Sequence, residues 1–271
     1  MIIAKSEYDR ACRWSPGESG PVTVDFGMKT VTVKREKDRI LFSSGARIPI
    51  TLKLKDKFCY LIEKTDLVPC AFYSEETCRF YKLIPTKDLP SIAIGSTPMH
   101  SITRVSPAED TERKLTLIRP QGRVLDTCMG LGYTAIGAAR SSAEVITFEK
   151  DPNVIILAKW NPHSHALFTD KKIKIVKKDI SQEISRFPHG HFDCIIHDPP
   201  TFTIAPELFG DRFYKELYRV LKPKGELYHY LPLYRIRQGY DFPSKIKGRL
   251  KKTGFTIIRF LPQEGNLLCR K

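Results

Sequence analysis

The sequence predicts an α/β protein in which a small β-rich segment precedes a larger, mainly parallel sheet covered by helices. Three observations carry this. Between Val22 and about Leu83, short β-prone runs are separated by turn residues and charges. From about residue 105 onward, strand-like runs alternate with helical ones, which is the pattern of crossovers that a parallel sheet requires. The last two strand-like runs, "TIIRFLP" and "NLLCRK", are joined only by "QEG". That link is too short for a crossover, so the two must pair antiparallel as a hairpin.

Taken in order, "VTVDF", "TVTV", "RILFSS", "ITLKL" and "FCYLIE" are the expected strands of the first segment. Three prolines and a glycine in "LIPTKDLPSIAIGSTPMHSI" then break the strand pattern and put the domain boundary near residue 90, dividing 1–90 from 91–271. A helix follows, with Ser106 as N-cap, Pro107 in its first turn, Glu109 completing a capping box and Pro120 beyond its end. Strands are then expected at "RVLDT", "EVITFE", "IKIVKKD", "FDCIIHD" and "GELYHYL", and helices at "GYTAIGAAR", "NVIILAKWN", "FGDRFYKELYRVLK" and "PSKIKGRLKKTG". With the hairpin this makes a seven-stranded sheet.

With 271 residues there is ample chain for a core, and no apolar run approaches the ~20 residues that span a bilayer. The N-terminus lacks the pattern of a signal peptide. The seven cysteines are odd in number and form no C-x-x-C pair, so reduced thiols, a cytoplasmic setting and no metal site are expected. A net charge of +15 points to an anionic partner, nucleic acid first and an acidic membrane surface second; RNA and no membrane is the expectation. Residues 201–271 hold 15 Lys+Arg against 6 Asp+Glu and so carry most of the excess.

In an open α/β sheet, ligands bind outside the carboxyl ends of the strands. There the sequence sets Asp126 with Gly130 and Gly132 after the first strand, Glu149 after the second, Asp179 after the third and Asp198 after the fourth. "GLGYTA" also fits the dinucleotide pattern G-x-G-x-x-A, with Glu149 as ribose acid, so a nicotinamide enzyme competes. Against it, Asp126 points into the region of a pyrophosphate, which wants donors rather than a carboxylate. A ligand carrying an ammonium and a sulfonium benefits from that carboxylate.

On these residues the chain from about Gly95 resembles the class I S-adenosylmethionine-dependent methyltransferases. The resemblance implies that Asp126 contacts the methionine amine of S-adenosylmethionine through water, that Gly130, Gly132 and Tyr133 line it, and that Glu149 accepts the ribose hydroxyls. It further implies that Asp179 binds the adenine amine between Lys150 and Ile180, and that Met99 and His100 in "STPMHS" form a pre-motif. In this family, an acid followed by Pro-Pro and an aromatic marks methylation of exocyclic base amines. Asp198 and the Pro199 carbonyl would accept the amine's two N–H groups, Pro200 would hold the turn rigid, and Phe202 would stack on the base. Position 201 is Thr, so the aromatic comes one residue later than that pattern has it. Tyr133 or Phe148 could replace Phe202. "DPP-x-F" also occurs in cytosine C5 methyltransferases, but these need a cysteine nucleophile, and after the motif none occurs until Cys269.

The basic stretch after the motif holds Arg235, Arg237, Lys245, Lys247, Arg249, Lys251 and Lys252 against one acid, Asp241, with Tyr234, Tyr240 and Phe242 interleaved. It suggests a wall that grips an RNA backbone. The β-rich segment 1–90 is a weaker candidate for a second RNA contact, since residues 1–100 carry 16 Lys+Arg against 12 Asp+Glu. The whole arrangement resembles archaeal RNA amino-methyltransferases, which implies N4 of cytidine in ribosomal RNA, free or in an assembling small subunit. Rival expectations are a methyl- or aminopropyltransferase for small molecules, an NAD-dependent oxidoreductase, and a non-catalytic RNA-binding protein. The sequence leaves the oligomeric state open.

Overall fold

A computed structural model describes residues 1–100, 105–232, 236–237 and 240–271, with backbone alone at Ile236, Arg237 and Tyr240. Two compact units emerge: Met1–Glu109 with Ile156–His163, and Asp110–Ile155 with Ser164–Lys271. The boundary expected near residue 90 falls between the strands Arg79–Ile84 and Ser91–Ile94, which pair antiparallel. A hydrogen-bonded ladder cannot be divided there, so the first unit runs on to Glu109.

The first unit contains three antiparallel sheets. One joins Ser19–Val24, Lys29–Arg35, Arg39–Phe42 and Arg47–Pro49 in sequence order. A second joins Ile2–Ala4, Cys59–Ile62 and Leu67–Pro69, and a third joins Ala71–Ser74, Arg79–Ile84, Ser91–Ile94 and Thr97–Pro98. Val22, Val33, Ile40, Phe42 and Ile48 form its core with Tyr8 of the helix Lys5–Cys12. The expected strand "ITLKL" is irregular instead. The Leu52 N–H donates to the Tyr8 hydroxyl at 3.2 Å and the Lys55 N–H to the Tyr60 hydroxyl at 2.7 Å, so side chains take donors that a ladder would use.

The second unit is built on β1 (Gly122–Asp126), β2 (Ser142–Phe148), β3 (Ile173–Val176), β4 (Phe192–His197), β5 (Leu221–Tyr230), β6 (Thr256–Leu261) and β7 (Asn266–Arg270). Their order is β3-β2-β1-β4-β5-β7-β6. The first five run parallel, while β7 pairs antiparallel with both β5 and β6, as the short "QEG" link requires. The longer helices along this part of the chain are α1 (Pro107–Ile118), α2 (Tyr133–Ala139), α3 (Pro152–Trp160), α4 (Asp211–Val220) and α5 (Phe242–Thr253), of which residues 107–109 and 156–160 are counted in the first unit. The Ser106 hydroxyl accepts the Glu109 N–H at 3.3 Å, as a capping residue should. Asp241 caps α5 by accepting from Ser244 at 3.0 Å, and Gly254 closes it at φ +117°. On α4, Phe213, Tyr214, Leu217 and Val220 face a core shared with Phe192, Ile195 and Leu227 of the sheet.

Strand order reverses between β1 and β4, so their carboxyl ends flank the crevice where such sheets bind ligands. Asp126 ends β1, and Asp198 follows directly on β4. No helix among the described residues is long and apolar enough to cross a membrane. All seven cysteines are free; Cys59, Cys70, Cys194 and Cys269 are buried and Cys78 is exposed.

Candidate active site

The acid of "HDPP" is held by a lysine that sequence reasoning did not single out. Lys114 Nζ lies 2.6 Å from Asp198 Oδ2 and 2.6 Å from Asp110 Oδ2, and its side chain is only 7% exposed. The Tyr230 ring stands 5.7 Å from the same ammonium. Burial alone would push the Lys114 pKa down, but Asp198 and Asp110 outweigh it and hold the ammonium charged well above neutrality. A signal did exist. Pro107, Thr111, Lys114 and Ile118 recur at the spacing of one helix face, and Lys114 occupies a core position where a cation needs partners.

Asp126 is fully buried and accepts from the Thr147 hydroxyl at 2.6 Å and the Thr134 hydroxyl at 3.4 Å. Burial pushes its pKa up to about 7 despite the Thr147 hydrogen bond, and the Asp198 charge adds to the rise. Asp198 and Asp110 thus hold the one ammonium, and Asp126 adds a third carboxyl that feels the charges of Asp198 and Lys114. The imbalance favours a cationic ligand.

The two glycines separate into different roles. Gly130 has φ +54°, and a Cβ added there would meet nothing within 4 Å, so its backbone borders open space. Gly132 has φ +80°, and a Cβ there would come within 2.6 Å of Leu167, so it serves close packing rather than a ligand. Glu149 arches back over this loop, accepting the Gly130 N–H at 3.2 Å and the Asp151 N–H at 2.9 Å. Burial pushes its pKa up to about 7 against those donors. An open space beside Gly130, edged by a carboxylate with raised pKa, suits a ligand that brings hydroxyl donors.

Asp179 accepts from the Ser181 N–H and hydroxyl at 2.9 and 2.7 Å, and its other oxygen lies 3.1 Å from Lys150. Lys150 also reaches Glu207 at 3.0 Å. Ile180, expected beside the adenine, is 3% exposed and belongs to the core, because the short helix Ile180–Glu183 turns it inward. Tyr133 is 7% exposed. Met99 and His100 belong to the first unit, where the Met99 N–H donates to Ile92 and His100 Nδ1 lies 2.8 Å from the Ser91 hydroxyl.

Pro199 is buried and Pro200 half-buried. The ring of Phe202 packs 5.5 Å from Phe242 and 5.7 Å from Phe209, leaving part of its surface open. The alternative ring Phe148 is ruled out: it is 2% exposed and packed edge-on against Phe187. His197 is a buried core residue, with Nδ1 2.8 Å from the Thr127 hydroxyl and Nε2 3.0 Å from the Leu208 carbonyl. That carbonyl can only accept, so Nε2 carries the proton. Burial drives the ring's pKa down to about 3 and keeps it neutral.

The basic stretch divides. Arg235 lies outside the described residues, and only the backbone of Arg237 is described. Arg249 donates to the Phe209 carbonyl at 2.7 Å and lies 3.3 Å from Asp211, which ties α5 to the start of α4. Lys247 sits over the Phe260 ring at 4.4 Å. Lys245, Lys251 and Lys252 are exposed. Phe242 is buried and cannot offer a stacking surface, because it fills the gap between Phe202 and Phe209.

Comparison with known proteins agrees with this geometry. Spermidine synthase from Thermotoga maritima overlays with a TM-score of 0.54 at 20% identity, covering 74% of this chain and 70% of that one, a likeness of fold. Residues 124–225 match the family described as "Methyltransferase domain". The chain belongs to the class I S-adenosylmethionine-dependent methyltransferases. Within that class, the methyltransferase shares a family with an uncharacterized protein of Methanocaldococcus jannaschii, 48% identical over 236 residues, 84% of this chain and 80% of the relative. A polyamine aminopropyltransferase of Streptomyces coelicolor is 30% identical over 117 residues, 40% of this chain and 21% of its own. S-adenosylmethionine is the cofactor of this methyltransferase, and the dinucleotide reading of "GLGYTA" falls. Packing on Leu167 already accounts for Gly132.

Proposed function

We propose that this enzyme methylates an exocyclic amine of an RNA base, N4 of cytidine in ribosomal RNA before others, either free or in an assembling small subunit. One observation carries the reading: Lys114 engages Asp198 Oδ2, and among the described residues Oδ1 carries no hydrogen bond. Oδ1 and the Pro199 carbonyl are then the two acceptors for an amine, and proline at 199 and 200 leaves no N–H to compete for them. The amine of cytosine is a poor nucleophile because its lone pair is delocalised into the ring. Accepting both N–H groups stabilises the charge that develops on nitrogen as it attacks, and Asp198 takes the proton released.

When bound, S-adenosylmethionine supplies an electrophilic methyl group on a sulfonium. The residues that would hold it are Asp126, for the ammonium, and Gly130 with Glu149, for the open side of the loop and the ribose hydroxyls. Asp179 would take the adenine amine after giving up Lys150. The exposed Lys245, Lys251 and Lys252, with Arg235 and Arg237, supply charge for the RNA backbone.

The test combines the purified enzyme with tritiated S-adenosylmethionine and RNA from a strain lacking its gene, followed by nucleoside analysis. Label in N4-methylcytidine is the expected result; no label in any RNA fraction, with cofactor bound, overturns the reading.

The aminopropyltransferase match favours a second reading, transfer of an aminopropyl group to a polyamine. Decarboxylated S-adenosylmethionine and putrescine test it directly. A chain of net charge +15 repels a polycationic acceptor, which is why the RNA reading ranks first.

A further inference from the structure

The first unit carries a cluster that the active site does not use. Lys82, on the strand Arg79–Ile84, holds its ammonium 4.5 Å from the centre of the Phe58 ring, and Lys55 holds its own 5.5 Å from the same ring. Phe80 stands edge-on to Phe58 at 6.2 Å and is 38% exposed. On the neighbouring strand Ala71–Ser74, Tyr73 lies directly opposite Phe80 and is 58% exposed. Alternation along the strand puts Phe80 and Lys82 on one face. Lys57 and Lys55 are exposed beside it.

Two features distinguish this face from an ordinary solvated surface. Among the described residues, Lys55, Lys57 and Lys82 form no ion pair; the nearest acid in sequence, Asp56, lies 3.5 Å from Lys5. Partial burial, then repulsion from Lys57 and Lys55, lowers the Lys82 pKa, and no carboxylate offsets either effect. Like charges have been gathered round the half-buried Phe58 ring, beside the exposed Phe80 and Tyr73, with no carboxylate paired to them among the described residues. Such an arrangement gains free energy when a polyanion arrives. The rings select among polyanions, because a single nucleic-acid strand offers base faces to stack, whereas a duplex offers mainly phosphates.

We propose that this face binds a single-stranded segment of the RNA substrate, with Phe80 and Tyr73 stacking on bases and Lys55, Lys57 and Lys82 contacting phosphates. The inference rests on the RNA reading of the active site but concerns a separate surface, so the two can fail separately.

The test measures binding of single-stranded and duplex RNA oligonucleotides to the full-length protein across a salt series. In Lys55→Gln/Lys57→Gln/Lys82→Gln, the slope of log affinity against log salt should flatten by about 2, since each phosphate contact on a single strand contributes roughly 0.7. In Tyr73→Ala/Phe80→Ala, single-strand affinity should fall roughly tenfold or more with the slope unchanged, and duplex binding should hardly move. Unchanged S-adenosylmethionine affinity and melting temperature in both variants show that the fold is intact. If both variants bind and methylate RNA as wild type does, this face is not an RNA surface and the active-site reading stands. If wild type methylates no RNA, the active-site reading fails, and single-strand binding lost in the variants would still support this face. Binding to phosphatidylserine vesicles that falls with the lysines, without single-strand RNA binding, overturns the proposal in favour of a membrane surface.

Discussion

At the scale of single residues, the Lys114–Asp198 pair decides most. Asp198→Ala should reduce transfer at least about a hundredfold while S-adenosylmethionine affinity stays nearly unchanged, as read by single-turnover rates and titration calorimetry. Lys114→Met leaves two carboxylates facing each other without their cation and should cost about 3–5 kcal/mol in urea unfolding. Adding Asp198→Asn should recover part of that stability but none of the transfer, which separates the lysine's role in folding from its hold on Asp198. Asp126 and Glu149 titrate near 7, so both are largely neutral below that and charged above it. Affinity for the cationic cofactor should therefore rise from pH 6 to pH 8. Stability runs the other way. A carboxyl whose folded pKa is raised stabilises the fold at low pH, and that contribution is lost as pH climbs through about 7. The melting temperature of Glu149→Gln relative to wild type should accordingly increase between pH 5 and pH 8.

At the scale of elements, the loop after β1 makes two glycines do different things. Gly132→Ala drives a methyl into Leu167 at a positive φ and should destabilise the protein by about 1–3 kcal/mol. Gly130→Ala meets no atom but strains the backbone at φ +54°, so it should cost about 1 kcal/mol from that strain alone and lose cofactor affinity as well. Thermal melts with and without S-adenosylmethionine distinguish the two. This division was not legible in "GLGYTA", which shows two identical residues; only the position of Leu167, 35 residues on, tells them apart. The parallel order, the terminal hairpin and the acids at the strand ends were legible, because each depends on local periodicity or on a link too short to cross over. The partners of Lys114, Phe202 and Arg249 were not, because they come from distant segments. On α5, at 3.6 residues per turn, Lys245, Arg249 and Lys252 fall on one flank of the buried stripe of Phe242, Ile246 and Leu250, and Lys247 and Lys251 on the other. A run that looks like one basic wall in sequence is therefore two flanks in space.

At the scale of the whole molecule, net charge should dominate how the substrate is met. The KM for RNA should rise steeply between about 50 and 200 mM salt, while the Kd for S-adenosylmethionine changes far less. Lys245→Glu/Lys252→Glu should raise that KM without altering cofactor affinity, as initial rates and calorimetry would read. A flat salt response would instead point to a small acceptor. The cysteines offer a practical opening. Cys59, Cys70, Cys194 and Cys269 are buried, Cys12 and Cys128 are half-buried, and Cys78 is the exposed thiol, in the turn that links Tyr73 to Phe80. A maleimide dye should therefore attach there first, making native Cys78 a ready-made optical reporter beside the aromatic face.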